Sequence, residues 1–208
     1  LIVSGGLYTG VFSAAESASV GVSIAFLFAV FRGKVNWKSF FDTLLEAAAT
    51  TGMIYVIIIG AHIFSFFMTL SGLPEQIVGT IETSGLSKWV ILILLYIMFL
   101  ILGSIFDTIA AMVITLPFVF PLIISLGFDP IWWGVINVIV MEIGMITPPV
   151  GLNLFVTAGV AKMSVTDVVN AALPFVSILF VFLIMVTYIP WISTWLPTLF
   201  MGPEIITK

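Results

Sequence analysis

The sequence predicts an all-α membrane protein, built of transmembrane helices together with a re-entrant helical hairpin and one discontinuous helix. Three observations carry this. The 208 residues are 62% hydrophobic and only 8% charged, with a mean hydropathy of +1.32, more apolar than a soluble domain could be. The apolar stretch from Lys88 to Leu126 is long enough for two spans yet has no polar exit loop. Apolar helical sequence also runs from both sides into GMITPPVGLNLFVTAGVA, Gly144 to Ala161. There Pro148 and Pro149 remove two amide donors in succession, and Pro148 biases Thr147 away from helix.

The composition excludes several functions. The net charge of -4 comes from six basic and ten acidic residues scattered singly, so no basic surface for nucleic acid and no polybasic lipid-binding run exists. The absence of cysteine excludes disulfides, thiolate metal sites and thiol nucleophiles, and one histidine, His62, cannot build a histidine-rich metal centre. An intramembrane hydrolase would need two facing aspartates or a Ser and His pair. Asp107 is the one aspartate expected at membrane depth, and Ser4 with His62 has no nucleophile turn. The chain is therefore not expected to be an enzyme. It opens on Leu1 without an initiator Met or a signal-peptide pattern, and is expected to be a fragment lacking an N-terminal part.

Residues 1–87 supply scaffold-type spans, at about 13–31 and 44–70, with a connecting arm. Small residues from Ser4 to Ser23 offer a face for close helix approach. Glu16 near the start of the first span reads either as a charge favoured at a helix N-terminus or as an interdomain contact. Arg32, Lys34 and Lys38 crowd the next connection, beside Trp37, and assign it to the cytoplasm. In the second span His62, with Gly60 and Ser65 nearby, reads as a hydrogen bond between helices or a proton relay. Glu46, Thr50 and Thr51 leave a similar choice. Gly72, Pro74 and Gly85 then punctuate a short amphipathic piece on the far side.

Residues 88–126 form the hairpin, with the polar interruption GSIFDT, Gly103 to Thr108, as a tip held at depth. Asp107, beside Thr108 and Ser104, is too costly to leave unpaired there. It should ligate a cation, donate as a protonated acid, or accept from backbone amides at the start of the second arm. Pro117 and Pro121 in that arm read as kinks filled by packing. After Gly127, Asp129 and Pro130 begin a helix, with Trp132 and Trp133 expected at the interface belt.

The discontinuous helix covers 131–161. Glu142, expected to be buried just before its break, reads as structural or as part of the site. Around Thr147 to Gly151 the freed carbonyls, with the side-chain oxygens of Thr147, Asn153 and Thr157, suit a small cation at the carbonyl end and an anion at the helix start that follows. Ser164 or Thr166 caps a last span at 168–196, closed by Tyr188, Trp191 and Trp195 at an interface. Residues 197–208 form an uninformative tail. Counting outward from the basic loop, the hairpin enters from outside, the Lys162 loop is cytoplasmic and the C-terminus lies outside.

Four phrases in this order, GLYTGVFSAAESASVGV, GSIFDTIAAMVITLPFVFPL, WWGVINVIVMEIGMITPPVGLNLFVTAGVA and YIPWISTWLP, resemble the large membrane subunit of tripartite ATP-independent periplasmic (TRAP) transporters, over about its C-terminal half. EIGMITPPVGLNLFV is the most specific of them. The resemblance implies the second half of an inverted-repeat, elevator-type transporter in the bacterial inner membrane, coupling sodium to the import of an organic acid. It also implies a periplasmic substrate-binding protein and a small membrane subunit as partners. The family's sodium sites pair the hairpin tip with the broken helix. Carried onto this chain, they give Gly103, Ser104, Asp107 and Thr108 together with Thr147, Pro148, Val150, Gly151 and Asn153; Thr147, Asn153 and Thr157 are the substrate candidates. The chain departs from the family's usual Thr-Pro-Thr-Glu at Ser13 to Glu16, and from its Asp-Pro-Thr at Asp107 to Ile109, which leaves the roles of Ser13 and Thr108 open. No cofactor is expected beyond the coupling ion. The alternatives are a carboxylate or inorganic-anion carrier of like architecture working without a binding protein, and a structural membrane subunit.

Overall fold

The computed structural model describes residues 2–148 and 150–201, and every regular element among them is helical: α1 (Ile2–Tyr8), α2 (Ala14–Phe31), α3 (Trp37–Ser71), α4 (Leu73–Thr83), α5 (Lys88–Ile105), α6 (Thr108–Ser125), α7 (Pro130–Met145), α8 (Leu152–Ala161), α9 (Val165–Tyr188) and α10 (Trp191–Met201). Five of them, α2, α3, α5, α6 and α9, are long and apolar enough to cross a membrane. Two compact units emerge: Leu1–Val56 with Trp195–Lys208, and Ile57–Thr194.

In the first unit, α2 starts on a capping box. Ser13 Oγ accepts from the Glu16 amide at 3.4 Å, while Glu16 Oε2 accepts from Ser13 N at 2.8 Å and from Ser13 Oγ at 2.9 Å. Of the two readings of Glu16, the local helix-terminal one describes these contacts. The small-residue face of α2 receives α1, with Ser17 Oγ donating to the Val3 carbonyl at 3.3 Å. The basic connection is shorter than expected. Asn36 Oδ1 accepts from Ser39 N at 2.7 Å, so α3 begins at Trp37 rather than near Leu44, and Trp37 and Lys38 lie in its first turn.

The second unit holds α3 from Ile57 onward, α4 to α9 and the start of α10, around a main apolar core and a smaller cluster of Leu154, Ala158 and Val168. Phe99 of α5, Val119 and Ile123 of α6, Ile136, Val140 and Met141 of α7, and Val186 of α9 are each at most 1% exposed. Trp132 and Trp133 belong to this core at 2% exposure each, which corrects their expected place in an interface belt. Trp132 has a specific task. Pro190 has no amide for the Val186 carbonyl, and Trp132 Nε1 donates to that carbonyl instead, at 2.8 Å. The same proline ends α9 at Tyr188, so the last span stops short of Trp195, and Pro197 to Met201 of the expected tail are helical in α10. Ser164 caps α9, accepting from Asp167 N at 3.2 Å. Leu1, Pro149 and residues 202–208 lie outside the described residues.

Helix α9 serves as a ruler for the hairpin. Its 24 residues extend about 36 Å at 1.5 Å per residue. Near its C-terminal end, Trp89 at the start of α5 stacks on Tyr188 with centroids 6.0 Å apart, Phe128 just after α6 lies 5.8 Å from Trp89, and Trp132 reaches Val186. Near its N-terminal end, Val168 packs with Leu154 and Ala158 of α8. Both arms of the α5–α6 hairpin thus return to one end of α9. From Lys88 to Ser104, α5 advances about 24 Å, while α7 and α8 together continue over about 39 Å. The hairpin therefore turns back roughly two thirds of the way along α9, beside the break between α7 and α8.

Candidate functional site

Two interruptions build the site. The first is narrower than GSIFDT suggested: α5 continues through Ile105, and only Phe106 and Asp107 leave the helical path. Asp107 is exposed rather than buried. Its Oδ2 accepts from Ile109 N at 3.0 Å and Ala110 N at 3.3 Å, an N-cap on α6. Of the three arrangements open to Asp107, the described contacts are those of the cap.

The second interruption runs from Ile146 to Gly151. Pro148 has no amide for the Gly144 carbonyl, so Thr147 N donates there at 3.1 Å and tightens the last turn of α7. Gly151 has φ +63° and starts α8 without a side-chain cap. Only a residue lacking Cβ takes this conformation at low cost. Asn153 lies inside α8, half-buried, and Thr157 is exposed further along the same helix.

The interruptions meet. Gly151 N donates to the Ser104 carbonyl at 3.0 Å, and Thr108 Oγ1 donates to Met145 Sδ at 2.8 Å. The approach rests on two glycines: a Cβ on Gly103 would lie 2.7 Å from the Met141 carbonyl oxygen, and one on Gly144 would lie 2.7 Å from that of Leu100. Gly144, Met141 and Met145 were not among the candidate residues. Glycines at matching ends of two apolar helices were the available signal.

The hydroxyls around the junction spend their protons inward. Ser104 Oγ donates to Ile101 O at 2.9 Å, Thr108 Oγ1 to Met145, and Thr147 Oγ1 to Ile143 O. What each oxygen keeps is acceptor capacity. With the second lone pair of the Ser104 carbonyl, the junction carries a surplus of acceptors, which favours a hard cation. The anion-binding potential is located differently. The α6 N-terminus is already occupied by the Asp107 carboxylate, whereas α8 begins on Gly151 with no side chain on its first amides.

Other candidates stand apart from this junction. Pro148 and Val150 are exposed beside it, and Glu142 is exposed on α7, which corrects the expectation that it is buried. Among the described residues His62 makes no bond between helices: its Nδ1 meets Ile58 O of its own helix at 2.9 Å. Pro117 and Pro121 are not filled by packing but line a cavity of about 320 Å³.

The family described as the tripartite ATP-independent periplasmic transporter, DctM component, matches residues 1–192. A C4-dicarboxylate TRAP transporter large permease protein DctM from Vibrio cholerae is 44% identical over 229 residues, covering 100% of this chain and 51% of that protein. Its namesake from Pseudomonas aeruginosa is 41% identical over 198 residues, covering 95% and 46%. The sialic acid TRAP transporter permease protein SiaT of Haemophilus influenzae is 32% identical over 200 residues, covering 96% and 32%. The chain spans about half the length of the first of these relatives. By the length of the match and the level of identity, this multi-pass membrane chain belongs to the DctM family of TRAP transporter permeases, a family of transporters and not of enzymes.

Proposed function

We propose that this chain forms the C-terminal half of a permease that imports an organic acid across the bacterial inner membrane, driven by sodium and supplied by a periplasmic binding protein. A small membrane subunit completes the assembly. The observation that carries the reading is the bond between Gly151 N and Ser104 O. It joins two breaks in otherwise continuous apolar helices, the arrangement that suits a midplane transport site.

Sodium is taken as cargo, held among the carbonyl and hydroxyl oxygens of Ser104, Thr108 and Thr147. Gly103, Pro148, Val150, Gly151 and Asn153 supply the surrounding backbone and amide groups, and Asp107 the nearby negative charge. The substrate carboxylate then belongs at the α8 N-terminus, with Thr147, Asn153 and Thr157, because Asp107 already occupies the amides of α6. Ion and anion thus lie on the two sides of one junction. Binding of the ion fixes the tip against the break, and this presents the free amides of α8 to the carboxylate. A ligand shifts an equilibrium only by its differential affinity, so coupling requires sodium to favour the joined geometry over one with the Ser104 to Gly151 bond opened.

Three relatives at 44%, 41% and 37% identity carry the name C4-dicarboxylate permease, so a C4-dicarboxylate is the substrate class to test first. The experiment is uptake by the full tripartite complex in proteoliposomes across a sodium series. Thr147→Ala and Asp107→Ala should each raise the sodium concentration needed for half-maximal uptake. Unaltered sodium dependence in both variants removes these residues from the ion site, and uptake without the binding protein favours a carrier that works alone.

A further inference from the structure

Pro117 and Pro121 lie one turn apart on α6, and both line the cavity of about 320 Å³ whose opposite wall includes His62 and Ser65 of α3. A proline cannot donate to the carbonyl four residues before it. The carbonyls of Val113 and Pro117 therefore lack their helical donors, and both residues line this same cavity. The α6 wall offers acceptors and no donor.

His62 faces this wall in a defined tautomer. Its Nδ1 lies 2.9 Å from the Ile58 carbonyl. A carbonyl only accepts, so Nδ1 carries the proton there. In the neutral ring Nε2 is then an acceptor, with nothing to exchange with the carbonyls of α6. In the protonated ring Nε2 becomes a donor. We propose that His62 is a proton-binding site whose charged form ties α3 to α6, with Nε2 donating to the carbonyl of Val113 or Pro117, neither of which has an amide four residues on. The neutral form leaves the two helices untied at this residue. No residue of α6 from Thr108 to Ser125 is ionisable, and the ionisable residue nearest in sequence on α3 is Tyr55. Among the described residues lining the cavity His62 is the one that is ionisable, and Glu75 of α4, a helix that packs on α6, is not one of them. Since α6 is the second arm of the hairpin, acidification would restrain the hairpin against α3.

The test reads the α3–α6 distance in the full-length permease, in nanodiscs and free of other cysteines. Spin labels are placed at Ile59→Cys and Ile114→Cys, both exposed positions outside the cavity lining. Distance distributions are recorded at about pH 5 and about pH 8.5. The short-distance population should grow several-fold on acidification in the otherwise native protein. His62→Leu should keep the long distance at both pH values. His62→Gln, whose amide donates at every pH, should keep the short one. A wild-type distribution indifferent to pH, a response that survives His62→Leu, or a long distance in His62→Gln overturns the assignment. The readout involves neither sodium nor transport, so it stands or falls separately from the proposed function.

Discussion

Gly151 gives its amide proton to the carbonyl of Ser104 across 3.0 Å, and this backbone bond holds the turn of a helical hairpin against the gap in a broken helix. Neither partner uses a side chain in the bond. What the side chains decide is whether the two backbones come close enough to make it.

Gly103 and Gly144 permit that approach, each sitting 2.7 Å from a neighbouring carbonyl oxygen when given a Cβ. Gly103→Ala or Gly144→Ala should therefore push α5 from α7, at a cost of about 1–3 kcal/mol, read as a lower melting temperature of the purified permease. Gly134→Ala is the contrasting case. Nothing lies within 4 Å of its added methyl, and alanine in a helix gains about 0.5–1 kcal/mol over glycine. Its melting temperature should rise, and equal losses at all three positions would argue against a specific close contact.

At Gly151 the constraint is conformational as well as steric. Its φ is +63°, and a Cβ would lie 2.6 Å from Leu154 Cδ1 and 3.1 Å from the Thr147 carbonyl oxygen. Gly151→Ala should cost about 1–2 kcal/mol from the left-handed backbone alone. It should also weaken ion-dependent thermal stabilisation by loosening the bond to Ser104. An alanine variant with wild-type melting behaviour and wild-type sodium response would show the junction to be dispensable.

The cap at Asp107 separates two roles by chemistry. Asp107→Asn keeps a side-chain oxygen for the amides of Ile109 and Ala110 but removes the charge, whereas Asp107→Ala removes both. If the carboxylate only caps α6, Asn should behave as wild type and Ala should lose about 1 kcal/mol. If its charge also serves the cation, Asn should hold its melting temperature yet need more sodium for half-maximal uptake. The second outcome is the one expected from the proposed function.

Trp132 and Pro190 form a coupled pair. Trp132→Phe strips the Val186 carbonyl of its donor and should cost about 1–3 kcal/mol. Pro190→Ala restores an amide four residues beyond Val186, so the tryptophan replacement should cost less in that background. Thermal melts of the four proteins in a double-mutant cycle measure the coupling, and strict additivity would mean that the indole bond contributes nothing.

The interruptions were legible in the sequence because they are written in backbone chemistry. Pro148 lacks an amide, Asp107 competes for amides at a helix start, and Gly151 accepts a left-handed backbone; each effect is local. Two of the errors have a common source in packing far away in sequence, and a third is local. Trp132 and Trp133 read as belt residues because tryptophan favours interfaces, yet packing by α5 and α9 buries them. Glu142 read as buried from its neighbours, while the face it occupies on α7 is open. The start of α3 was missed by several residues because its signal is one side chain, Asn36.

By itself the sequence determined a lipid-embedded helical chain, two breaks in it and the residues that make them, because hydropathy and amide chemistry act within a few residues of each position. The tertiary structure alone decided which atoms join the two breaks, with Ser104 meeting Gly151 and Thr108 meeting Met145. Such pairings depend on which glycines let two helices touch, and that follows from three-dimensional packing rather than from any stretch read alone.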